Sequence, residues 1–165
     1  MALQFTNAIL EDLPIIVAIY NSTIEGRMVT ADTEPVSVES KLLWFHEHKP
    51  TTRPLLIVHD GETLIGWMSY QDFYGRPAYN GTAEISIYID EQQRGKGYGK
   101  QLLQHAMATA ANYHIHTLLG FIFKHNVPSL NLFESLGFEQ WANLKNIAVL
   151  DGIERSLTIF GKRLN

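Results

Sequence analysis

The run Arg94-Gly95-Lys96-Gly97-Tyr98-Gly99-Lys100 sets three cations among three glycines. Glycine carries no Cβ, so a bend of this composition can turn backbone N–H groups toward a ligand. The flanking elements fit that use. Glu84-Ile85-Ser86-Ile87-Tyr88-Ile89 reads as a strand. A helix from Lys100 to about Tyr113 follows, with Leu102, Leu103, Ala106, Met107, Ala110 and Ala111 keeping one face apolar. A helix N-terminus adds partial positive charge to the bend. The chemistry such a site performs is the holding of phosphate.

Two familiar phosphate loops do not match. A P-loop needs a glycine five residues before its Gly-Lys pair and Ser or Thr after it, where this chain has Arg94 and Gln101. A dinucleotide fingerprint starting at Gly95 needs glycine where Lys100 stands, and an acidic residue on a second strand about 20 residues later. What remains is Arg94-x-x-Gly97-x-Gly99. A plain glycine turn joining a strand to a helix has the same composition.

Composition narrows the surroundings. The 165 residues, 45% of them hydrophobic, suffice for one domain with its own core, and a single domain spanning residues 1–165 is expected. Cysteine is absent, which excludes disulfides, thiolate metal sites and a cysteine acyl-enzyme. A net charge of −4 argues against a nucleic-acid partner and makes Arg94, Lys96 and Lys100 a local positive island. No run approaches membrane-spanning length, and the apolar stretch from Leu13 to Tyr20 is broken by Pro14. The sequence therefore predicts a cytoplasmic protein without membrane contact.

The elements that must position the bend can be read in order. Leu3 to Asn7 predicts a strand, Leu10 to Ser22 a helix with Pro14 in its first turn, and Asn21 to Thr33 a loop suited to be a substrate lid. Ser37 is placed to cap a helix from Val38 to His48, stopped by Pro50 and Pro54. Leu55 to His59 and Thr63 to Tyr70 flank Asp60-Gly61 as a hairpin, and Gln71 to Gly81 forms a second loop. After the central helix come a strand from Thr117 to Phe123 and a short helix opened by Asn126 and ended by Gly137. A hairpin of Phe138 to Ile147 and Ile153 to Phe160 turns around Asp151-Gly152. The order β-α-α-β-β-β-α-β-α-β-β implies an α/β fold, a mixed sheet covered on both faces.

The motif Arg94-x-x-Gly97-x-Gly99 resembles the coenzyme A pyrophosphate loop of the GNAT superfamily of N-acetyltransferases, and the element order resembles that family across the chain. Further stretches are similar to its phosphinothricin and methionine-sulfone N-acetyltransferase branch. They are Ile19-Tyr20-Asn21, Asp32-Thr33-Glu34-Pro35, Trp44-Phe45, Arg76-Pro77-Ala78-Tyr79, Glu84 to Ile89, and Asn126-x-x-Ser129 followed by Leu136-Gly137-Phe138. The resemblance implies a mostly antiparallel sheet of seven strands with four helices on both faces, its fourth strand bulged and splayed from the fifth. It also implies transfer of acetyl from acetyl-CoA to the amine of a small amino acid or analogue, and a homodimer.

Site residues follow from the same resemblance. The pantetheine arm would lie along Ile87, Tyr88 and Ile89, whose N–H groups would also steady a developing oxyanion. Arg94, Gly95, Lys96, Gly97, Tyr98, Gly99 and Lys100 would hold the pyrophosphate, with Asn126 and Ser129 as further contacts. An amine is largely protonated at neutral pH, so attack on a thioester needs a base, and Glu84 is the candidate. A carboxylate entering a strand is equally a solvated strand end. Where many relatives carry a Tyr or His that protonates the leaving thiolate, four positions after Ser129, this chain has Phe133, which cannot donate and is expected to pack against cofactor or core. For the acceptor, Arg76 is expected to pair with its carboxylate and Tyr79, Tyr20 and Thr30 to line the same cavity.

Seven histidines raise a metal, but His46 and His48 lack i, i+4 spacing and His114-x-His116 has no acidic partner, so no metal is expected. Two other readings stand beside the amino-acid acetyltransferase. A weakly active or inactive acyl-CoA-binding regulatory module would account for Phe133, and the acidic balance would suit a polyamine or protein N-terminus as acceptor.

Overall fold

A computed structural model of the chain describes residues 2–165. Its strands are β1 (Gln4–Asn7), β2 (Leu55–Asp60), β3 (Thr63–Asp72), β4 (Thr82–Ile89), β5 (Thr117–Phe123), β6 (Glu139–Leu150) and β7 (Ile153–Arg163). They form one sheet in the order β1-β2-β3-β4-β5-β7-β6. Every neighbouring pair is antiparallel except β4 with β5. The helices are α1 (Leu13–Asn21), α2 (Leu42–Glu47), α3 (Tyr98–Thr109) and α4 (Val127–Ser135). The expected element order, sheet and helix number are therefore present.

Two apolar clusters mark the two faces of the sheet. Ile16 and Ile19 of α1 pack with Leu55 and Trp67, joined by Trp44 and Phe45 of α2 and by Tyr88. Leu102, Leu103 and Ala106 of α3 pack on the other face with Met68, Tyr70, Ala83 and Ile85, and Phe133 of α4 joins them. The alternation of a strand produces this division, since successive side chains point to opposite faces.

Local chemistry sets the ends of the elements. Asp151 and Gly152 both take positive φ, 52° and 78°, as a two-residue hairpin turn requires. Gly97, at φ 85°, is the N-cap of α3, which starts at Tyr98, two residues earlier than the periodicity suggests. At the end of α4, Gly137 N–H donates to Glu134 O and Phe138 N–H to Phe133 O. The Phe133 and Phe138 rings meet edge-on at 4.9 Å. That is the Schellman pattern with its apolar contact. The helix expected over Val38 to His48 is shorter: its first turn is 3₁₀, over Glu39–Lys41, although the Ser37 hydroxyl does accept Ser40 N–H at 3.1 Å. β6 runs beyond Ile147 to Leu150 because two register shifts against β7 absorb its irregular stretches.

The parting of the sheet is the feature that matters for function. β4 and β5 pair only from Thr82↔Thr117 to Glu84↔Leu119. Beyond that rung β4 stays with β3 as far as Gly66↔Ile89, while β5 stays with β7 as far as Phe123↔Leu157. The expected bulge is not needed for this, since the β3–β4 register runs from Asp72↔Ala83 to Gly66↔Ile89 without a shift. The Phe133 ring fills the first parted rung, so close over Gly120 that a Cβ there would meet it at 2.5 Å.

Candidate active site

The parted strands leave a cleft of about 550 Å³ whose walls include Ile85 to Ile89 on one side and Gly120 to Phe123 on the other. Along it, β4 backbone groups facing β5 have lost their strand partner, so an extended ligand can take up their hydrogen bonds. Gly99 at the start of α3, Ser129, Leu132 and Phe133 of α4, and Ile147 and Ala148 of β6 also border it. Val29, Thr30 and Ala31 form a further wall. The first loop is held there by Asn126, whose Nδ2 donates to Met28 O at 3.1 Å, and by His125, whose ring pairs with Arg27 O at 2.7 Å.

A second cavity, of about 230 Å³, opens on the face covered by α1 and α2. Its floor is a lattice of three cross-strand pairs, Trp67↔Tyr88, Ser69↔Ser86 and Gln71↔Glu84, all pointing the same way because directly opposed strand residues share a face. Tyr20, Lys41 and Trp44 close it from above. Glu84, Ser86 and Tyr88 border both cavities. Burial raises the Glu84 carboxyl above the ordinary carboxylate range and likewise pushes the Tyr88 phenol up. Burial, and then the hydrogen bond to Asp32, push the Tyr20 phenol up to about 12. The Tyr20 hydroxyl is also 2.5 Å from Thr30 Oγ1, which ties the wall of one cavity to the wall of the other.

The glycine bend forms the rim. Gly95 and Gly97 take φ 76° and 85°, and a Cβ at either would meet nothing within 4 Å, so glycine serves backbone conformation there and leaves the space above open. Arg94 lies back on the chain, its Nη2 donating to Ser22 Oγ at 2.8 Å and its Nε to Ile89 O at 3.2 Å, while Lys96 donates to Gln93. Among the described residues the ion pairs are Arg27–Asp151 and Arg53–Asp72, so Arg94, Lys96 and Lys100 carry no carboxylate partner. Their charge is free to meet an anion. A polyphosphate with an extended arm fits this cradle and cleft.

Not every residue expected at the site borders the second cavity. Arg76 and Tyr79 border neither cavity: the loop after β3 passes through positive φ at Tyr74 and Gly75, and the Tyr79 ring, 42% exposed, meets that of Phe73 edge-on at 5.5 Å. Thr30 lines the cleft between the strands and not the second cavity. The Tyr98 hydroxyl donates to Asp60, directing that side chain away from the bend. Asn126 borders the cleft, and its side chain also serves structure, Oδ1 accepting Ser129 N–H and Nδ2 donating to Met28 O. Sequence reading missed Lys41, Ser69, Gln71 and Ser86; period-two alternation along the hairpin is the signal that locates the last three. A wider hollow of about 740 Å³ near the end of α2 is less suited to bind a charged ligand, because its Arg53 and Asp72 satisfy each other at 2.6 Å.

The parted sheet, the glycine bend and the half-buried carboxylate agree with an acetyltransferase of the GNAT type, and the chain belongs to the acetyltransferase (GNAT) family, whose model matches residues 16–138. It is 53% identical over 155 residues to YwnH of Bacillus subtilis, a protein provisionally named a phosphinothricin acetyltransferase, covering 93% of this chain and 94% of that one. It is 35% identical over 141 residues to the L-methionine sulfoximine/L-methionine sulfone acetyltransferase of Pseudomonas aeruginosa, covering 84% and 81%. The crystal structure of a phosphinothricin acetyltransferase from Sinorhizobium meliloti in complex with acetyl-CoA superposes with a TM-score of 0.90 at 25% identity, covering 100% of this chain and 90% of that one.

Proposed function

We propose that this chain moves the acetyl group of acetyl-CoA directly to the amine of a small amino acid or analogue, of the phosphinothricin or methionine-sulfone type. The observation that carries this reading is the position of Glu84, which borders both the cleft and the second cavity. The bend from Arg94 to Lys100 supplies cations and backbone N–H groups for a pyrophosphate, and the open edge of β4 hydrogen-bonds the extended arm. The thioester supplies the acetyl carbonyl when bound, at the junction of the two spaces.

An acceptor amine in the second cavity then faces that carbonyl. The nitrogen forms the new C–N bond as the C–S bond breaks, and Glu84 takes the amine proton. Its raised pKa makes it a stronger base than an exposed glutamate. Backbone N–H groups of β4 steady the charge growing on the carbonyl oxygen. Phe133 has no proton to give the leaving thiolate, so the donor is another group. Among the residues lining the cleft, Tyr88 is the titratable side chain left for this once Glu84 is assigned as base, and its phenol stays protonated at neutral pH.

Release of free thiol from acetyl-CoA, followed with a panel of amino acids including phosphinothricin and methionine sulfone, tests the reading. Turnover with such acceptors that falls about 10²- to 10⁴-fold in Glu84→Gln is the expected result. Acetyl-CoA binding without thiol release for any amine would instead make the chain a binding module.

A further inference from the structure

The second cavity is built to tell one acceptor from another, and its charged lining comprises one cation and one carboxylate. The carboxylate, Glu84, is assigned to the amine. The cation is Lys41, which lies outside both ion pairs of the described residues. Its Nζ stands 5.3 Å from the centre of the Tyr20 ring and 6.0 Å from that of Trp44. Two aromatic faces hold an ammonium in place without neutralising it, as a carboxylate would. On the cavity floor the Ser69 hydroxyl is buried, 1% exposed, and has no hydrogen-bond partner. A buried hydroxyl left this way loses its hydration without compensation, which a polar ligand atom restores.

We propose that Lys41 is the residue that selects the acceptor, by pairing with its carboxylate while the amine lies at Glu84 and Ser69 hydrogen-bonds the bound molecule. This assigns to Lys41 the task that the sequence suggested for Arg76. The inference rests on the amino-acid reading above, and it adds that the cavity prefers an acid over the matching neutral amide.

The test compares L-methionine sulfone with its α-carboxamide as acceptors, for the wild type, Lys41→Met and Lys41→Arg, by kcat/KM in the thiol-release assay. The wild type is expected to favour the acid by about 10- to 100-fold, the range of one charge-assisted contact. Lys41→Met brings the ratio near one, mainly through a higher KM for the acid, and Lys41→Arg retains most of it. A preference for the acid that survives Lys41→Met, or a loss of equal size on acid and amide, overturns the assignment to Lys41 and leaves the amino-acid reading intact. A wild type that turns over neither compound nor any other amino acid overturns both.

Discussion

Glu84 stands opposite Leu119 at the last rung where β4 and β5 pair, and one residue further the two strands separate. The carboxylate is therefore fixed by a paired backbone while the space beside it is open. Two consequences meet at this residue. The parallel pairing on one side and the Gln71 pairing on the other hold Glu84 in position. The cover given by α1 and α2 leaves it half-buried at the edge of both cavities.

That cover has a cost in stability. Burial raises the Glu84 pKa in the folded state, so folding favours its neutral form. Stability from this group is fully present below the ordinary carboxylate value of about 4.3 and is lost as pH rises through the raised value. Thermal unfolding of Glu84→Gln is expected to give a higher Tm than the wild type at neutral pH, with the difference closing toward about pH 4. A Tm for Glu84→Gln below the wild type at neutral pH would show that the ionised carboxylate has a stabilising partner.

The proton on the leaving thiolate is the second point. Tyr88→Phe is expected to lower kcat about 10- to 100-fold with little change in KM for acetyl-CoA, and adding Phe133→Tyr to return part of the loss. Steady-state kinetics of the two single variants and the double variant check this. A Tyr88→Phe enzyme with full kcat would mean that the thiolate leaves unprotonated or takes its proton from water.

The wedge at the head of the cleft can be tested by size. A Cβ on Gly120 would lie 2.5 Å from one Phe133 ring atom and 3.0 Å from another, and the ring cannot bend away. Gly120→Ala is expected to cost about 1–3 kcal/mol in urea unfolding, and less when Phe133→Leu is present. Strict additivity of the two changes would mean that the residues do not press on each other.

Asn126 ties the first loop to the turn before α4. Asn126→Ala removes the cap on Ser129 N–H and the bond to Met28 O together, with an expected loss of about 1–2 kcal/mol. Limited proteolysis should then cut between residues 22 and 38 sooner than in the wild type. Asn126→Asp, which keeps the capping oxygen but not the amide donor, should recover the helix cap and still loosen the loop.

What could be read from the chain alone follows from how local each feature is. The strand, bend and helix from Glu84 to Thr109 announce themselves through glycine spacing and a 3.6-residue period, which need no distant partner. The splay beyond Glu84 was legible only through family resemblance, because it depends on β5 following β7 instead of β4. Arg76 stands out in sequence because a guanidinium beside Pro77 looks like a ligand group, and sequence alone does not show that its loop lies outside both cavities. Lys41 and Ser69 were silent, since nothing in their neighbours' spacing says that α2 lies over the β3–β4 pairs.

The central claim is that the glycine bend and the parted strands hold acetyl-CoA with its thioester beside Glu84. Calorimetric titration of acetyl-CoA into the wild type and into Gly97→Asp tests it most directly. Gly97 faces open space at φ 85°, so a carboxylate there strains one turn and opposes a phosphate without displacing packed atoms. The account predicts saturable one-to-one binding by the wild type and its loss in the variant, with thermal unfolding of the variant remaining cooperative. Equal affinity in the two proteins, or no binding by the wild type, would contradict it.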